Sequence, residues 1–197
     1  METAWSVFYG AVGTLGVLHG IADAFQIPYD QKMIFIWIVL SSVIWGIAFG
    51  WKRHRKYLFP TAVGLFVWIG LWRWKEICEG ICRSMERMTE AVNAYYQFSW
   101  DAVKYVKTGG ISTEQTAILA AGVFVSGLLV GGFLQKKGRI LLAVLFAFGF
   151  LAPFLVGKVP ENRTVWELLI GIMGLLAMQT ALPGKQRKIK FFGTANG

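Results

Sequence analysis

The sequence predicts an all-α, polytopic integral membrane protein. It has six transmembrane helices and an amphipathic helix in its long third loop. Three observations carry this reading. Apolar residues make up 55% of the 197-residue chain and charged residues only 16%, which is more apolar surface than a soluble domain of this size can enclose. The apolar residues fall in runs close to the roughly 20 that cross a bilayer core. The basic residues, which set the net charge at +9, gather in short loops on one side of that threading, as cytoplasmic loops do. Together these exclude a soluble globular enzyme, a disordered chain and a disulfide-stapled secreted domain. They also remove the need for nucleic acid to explain the basic charge.

Each element follows in order, and all belong to one membrane domain over residues 1–197. The first span, about 4–25, is rich in glycine (Gly10, Gly13, Gly16, Gly20), and Pro28 and Asp30 mark the turn that ends it. The second, about 33–51, carries no charge until the basic loop Lys52, Arg53, His54, Arg55, Lys56. The third, about 57–73, ends in Trp68, Trp72 and Trp74, an aromatic cluster suited to the headgroup level. Charges of both signs return over 75–113, where Ile77, Ile81, Met85, Met88, Val92 and Tyr95 recur at helical spacing. This extracytoplasmic helix is expected to lie on the membrane surface or against the bundle. The fourth span, about 115–134, leads to a second basic loop of Lys136, Lys137 and Arg139. The fifth, about 140–156, carries Pro153 near its end, and the sixth, about 165–182, stops at Pro183–Gly184. A cytoplasmic basic tail, 184–197, holds Lys185, Arg187, Lys188 and Lys190.

Summed over loops, one side of this threading carries +10 and the other is neutral. Only an even count of six spans puts the first basic loop, the second and the tail on one side. The expectation is a multi-pass cell-membrane protein with both termini cytoplasmic.

Candidate sites are few. His19 and Asp23 are four apart and share a helix face in the first span. The pair either relays a proton or binds a cation at membrane depth, or is a solvated pair one turn from the outer loop. Glu167, one turn inside the last span, is in reach of Arg163 as an interfacial ion pair. Cys78 and Cys82 are four apart, unlike the C-x-x-C redox spacing, and read as small buried residues. Glycine pairs at four-residue spacing (Gly16/Gly20, Gly46/Gly50, Gly127/Gly131) are expected to let helices of the same bundle approach closely. The eleven topology-setting residues are Lys52, Arg53, Arg55, Lys56, Lys136, Lys137, Arg139, Lys185, Arg187, Lys188 and Lys190. No catalytic, cofactor-binding or metal-binding residue is assigned. The tail is expected to meet anionic lipid headgroups.

Three stretches carry a family likeness: Gly20-Ile-Ala-Asp-Ala-Phe-Gln-Ile-Pro28, the basic loop from Lys52 to Lys56, and Ala91-Val-Asn-Ala-Tyr-Tyr-Gln-Phe98. Their layout resembles the N-terminal membrane region of bacterial transglutaminase-like membrane proteins. In that family a multispan module precedes an extracytoplasmic domain with a Cys–His–Asp triad. The sequence in hand has no such domain, and Cys78 and Cys82 do not stand at the family nucleophile. The resemblance implies a non-catalytic membrane anchor or assembly module, not an enzyme and without cofactor, and the amphipathic pattern makes the helix at 75–98 the expected docking surface for a protein partner. The alternative is a small-molecule transport component. Six spans in about 200 residues also resemble the substrate-binding subunits of energy-coupling-factor transporters, with Trp5, Trp68, Trp72, Trp74 and Trp100 as pocket candidates.

Overall fold

The computed structural model describes residues 2–100, 111–135 and 139–180, all of them helix or short connection. Seven helices and no strand occur among these residues: α1 (Glu2–Ala24), α2 (Gln31–Gly50), α3 (Arg55–Trp72), α4 (Trp74–Tyr96), α5 (Ile111–Gln135), α6 (Arg139–Leu155) and α7 (Asn162–Thr180). The six expected apolar runs each coincide with one helix, with ends shifted by a few residues, and of the amphipathic segment expected over 75–113 the helix α4 takes up Trp74–Tyr96. Three helices (α1, α2 and Thr113–Gln135 of α5) are long and apolar enough to cross a membrane, and α6 is a shorter apolar helix. Lys136, Lys137, Lys185, Arg187, Lys188, Lys190 and the tail 184–197 lie outside the described residues.

The glycine-rich α1 is the centre of the bundle, packed against α2, α5, α6 and α7. Its composition explains its place. A neighbouring backbone comes so near Gly16 that a Cβ there would sit 2.9 Å from the Leu168 amide nitrogen, and at Gly20 a Cβ would collide with the Gly149 carbonyl. Only glycine admits helices that close. The other expected glycine pairs also face helices of this chain: Gly46 meets Val7, Gly50 meets Thr3, Gly127 meets Trp45 and Gly131 meets Phe49.

Several polar atoms inside the bundle are bonded across or along helices. The Ser41 and Ser126 hydroxyls share a 2.9 Å hydrogen bond between α2 and α5, and the Trp45 indole N–H donates to the Val123 carbonyl at 3.1 Å. Asp30 caps α2 by accepting from the Lys32 and Met33 amides. Large apolar side chains face outward instead, among them Phe35, Ile36 and Leu40 on α2, Trp68 and Trp72 on α3, and Phe148 and Leu151 on α6.

α3 breaks at Arg73 into α4, which runs along α5. The apolar stripe expected on α4 divides. Met88 and Val92 pack on the core, while Ile81, Met85 and Tyr95 are exposed. Two features turn the helix this way: Gly80 is buried against the Thr113 carbonyl, and Arg87 is drawn to Glu114 on α5.

Candidate functional site

Ionisable side chains gather at the end of the bundle formed by the C-terminus of α1 and the N-terminus of α7. His19 lies one turn and a half inside α1 and is 2% exposed. Its Nδ1 is 2.6 Å from Glu167 Oε2 on α7. Facing a carboxylate, Nδ1 carries the proton and donates. The second Glu167 oxygen accepts from Arg163 Nε at 3.0 Å. One turn further along α1, Asp23 accepts from the Tyr29 hydroxyl at 3.0 Å and from the Thr164 hydroxyl at 3.4 Å. The Tyr29 ring stacks on the His19 imidazole, with centroids 5.5 Å apart. α1 and α7 are thus joined by two polar cross-links on successive turns, each carboxylate using both oxygens.

Two electrostatic features follow. The Tyr29 phenol is held well above its ordinary value by burial first, then by the Asp23 charge and the hydrogen bond to it. His19 Nε2 is buried without a hydrogen-bond partner among the described residues. It is the ring nitrogen of the cluster left to accept a donor.

Sequence reasoning reached part of this. It placed His19 and Asp23 on one face and gave Glu167 to Arg163, and both relations are present. It did not join Glu167 to His19, 148 residues away. The available signal was that isolated ionisable residues in different spans tend to pair with each other. A solvated His19 does not fit its burial. Cys78 and Cys82 are free thiols on α4, outside this cluster. No trio of His, Cys, Asp or Glu suited to a metal ion occurs among the described residues. The basic residues Lys52, Arg53, Arg55 and Lys56 are exposed at the opposite end of the bundle, where Arg55 lies over the Phe49 ring. Arg139 opens α6.

A second polar group flanks the cluster. Glu114, buried in the first turn of α5, accepts from Arg87 Nε at 2.9 Å, and Arg87 Nη1 donates to the Gln26 carbonyl at 3.4 Å. Lys158 Nζ donates to the Ala24 carbonyl at 2.9 Å. Both cations therefore sit on the carbonyl end of α1, where the helix dipole favours them. Comparison with protein-family models, with curated proteins and with solved structures finds no match to this chain.

Proposed function

We propose that the chain crosses a membrane six times, with both termini cytoplasmic, and serves as a non-catalytic anchor and assembly module. The observation that carries this reading is the apolar outer surface, which surrounds a core that is itself apolar and holds most of the buried polar groups. Serines, threonines and the His19–Glu167 pair are inside, and large apolar residues such as Ile140, Val144, Trp166 and Met173 are outside. Water disfavours such an outer surface, whereas lipid accepts it. α3 and α7, at 18 and 19 residues, reach about 27 Å at 1.5 Å per residue, close to the hydrocarbon thickness of about 30 Å. Their polar ends can then stand at the two interfaces.

The docking surface in this reading is α4, an amphipathic helix whose apolar stripe the bundle covers only in part, through its outward residues Trp74, Ile81 and Met85. A photo-crosslinking amino acid at Met85, activated in native membranes, tests it. A discrete protein adduct is expected. Adducts to lipid alone would remove α4 as the docking face.

A second reading, a small-molecule-binding component of a transporter, is favoured by one observation. A cavity of about 410 Å3 opens between α1, α4 and the α6–α7 turn, within the usual range for ligand sites.

A further inference from the structure

That cavity has a definite chemical character. Its apolar wall is Phe25, Ala91 and Val156, and its charged groups are Arg87, Lys158 and Glu90. The two cations are held in place by hydrogen bonds. Arg87 is held by Glu114 and the Gln26 carbonyl, and Lys158 by the Ala24 carbonyl. Lys158 reaches that carbonyl because Gly157, at φ +66°, reverses the chain after α6, a conformation that favours glycine. The Tyr95 ring packs onto Gly157 at the point where a Cβ would stand, so α4 is seated on the turn that presents Lys158.

The charges do not suit a plain anion. Glu114 already neutralises Arg87, so Glu90 and Lys158 leave the group balanced overall. Yet Arg87 and Lys158 have N–H donors beyond those used in these bonds, and Glu90 has no hydrogen bond or ion pair among the described residues. Two donor-rich cations beside one unengaged carboxylate match a ligand bearing an acidic group and an ammonium together. The aromatic and aliphatic wall matches an apolar body attached to them.

We propose that this cavity binds a small amphipathic zwitterion: its oxyanion at Arg87 and Lys158, its ammonium at Glu90, and its apolar part on Phe25 and Val156. A free amino acid with a bulky apolar side chain and a zwitterionic lipid headgroup share this chemistry. The inference rests on the second reading only for what happens after binding, since the site holds its ligand whether or not the ligand is carried across.

Isothermal titration of the purified full chain in detergent tests it. The probes are L-phenylalanine, 3-phenylpropanoate (no ammonium), phenethylamine (no carboxylate) and glycerophosphoethanolamine. Saturable L-phenylalanine binding, with both truncated analogues at least about tenfold weaker, supports a free amino acid. Binding of glycerophosphoethanolamine in its place supports the same site with a headgroup as the source. In either case Glu90→Gln is expected to weaken binding about tenfold, and Ala94→Trp, which fills the mouth, is expected to abolish it. Both positions are exposed, so both variants are expected to unfold at the wild-type temperature. No binding of L-phenylalanine or glycerophosphoethanolamine, binding of 3-phenylpropanoate equal to that of L-phenylalanine, or binding indifferent to both variants overturns the proposal. Uptake of labelled L-phenylalanine into proteoliposomes is read separately. Binding without uptake removes the transporter reading and leaves the site standing.

Discussion

Glu167 accepts from two donors of unequal worth, and substitution separates them. Replacing it with Gln leaves the buried His19 facing a neutral amide in place of a carboxylate. A loss of about 2 kcal/mol is expected, the usual cost of disturbing a buried charge-assisted hydrogen bond. Arg163 contributes less, because its side chain is 45% exposed and water screens it. Arg163→Gln is expected to cost no more than about 0.5 kcal/mol. Thermal unfolding of both variants in one detergent checks the order, and equal losses would contradict it. Tyr29 makes a pH-dependent contribution of known sign. Its phenol is raised in the folded protein, so the folded state holds the proton more tightly than the unfolded chain does. The resulting stability is present below about pH 10, the ordinary tyrosine value, and is lost as pH rises above it. In Tyr29→Phe the steep fall in unfolding temperature above pH 10 is expected to flatten. An unchanged slope would place the titrating group elsewhere.

At the scale of elements, glycine position decides tolerance. Gly20→Ala drives a methyl into the Gly149 carbonyl between α1 and α6, whereas Gly64 on α3 has open space where its Cβ would stand. The first substitution is expected to destabilise by about 1–3 kcal/mol through overpacking. The second is expected to be neutral, or stabilising by up to about 1 kcal/mol through helix propensity. Paired melting curves check the contrast. The same contrast shows how far the sequence was readable. Apolar runs and their glycine, proline and basic boundaries located six of the seven described helices, and amphipathic spacing the other, α4, because run length, spacing and turn residues are local properties. The central place of α1 was not local: its glycines say that something packs closely, and only the folded bundle says that Leu168 and Gly149 do. On α4, spacing identified an amphipathic helix, but Ile81 and Met85 face outward because Glu114 and Thr113 on α5 recruit the opposite face. In the polar cluster, the His19–Asp23 and Arg163–Glu167 relations were legible as four-residue spacings. The His19–Glu167 bond was not, since a single sequence does not record pairing between the first helix and the last.

For the whole molecule, the decisive quantity is the number of crossings between the two ends. The polar cluster, Arg87, Glu114 and Lys158 occupy one end, and the basic loop from Lys52 to Lys56 the other. Six spans require α3, α5 and α6 all to cross between residue 54 and residue 159, an odd number, so those positions face opposite sides. If α3, which has buried only Ala62, lies along the surface instead, α5 and α6 alone cross and the two positions face the same side. Single cysteines read this directly once Cys78 and Cys82 are replaced by Ser. His54→Cys and Val159→Cys suit the purpose, because both sites are exposed and neither changes the basic charge that sets orientation. In intact cells a membrane-impermeant maleimide is expected to label Val159→Cys, and to label His54→Cys only after permeabilisation. Labelling of both from outside would reduce the crossings by α3 and break the agreement between apolar runs and loop charge. Labelling of His54→Cys alone would keep six spans but invert them. The α1–α7 polar end and its cavity would then open toward the cytoplasm, against the +10 charge of the loops and tail. The predicted outcome is the one in which the apolar runs and the loop charges of the sequence agree on one threading.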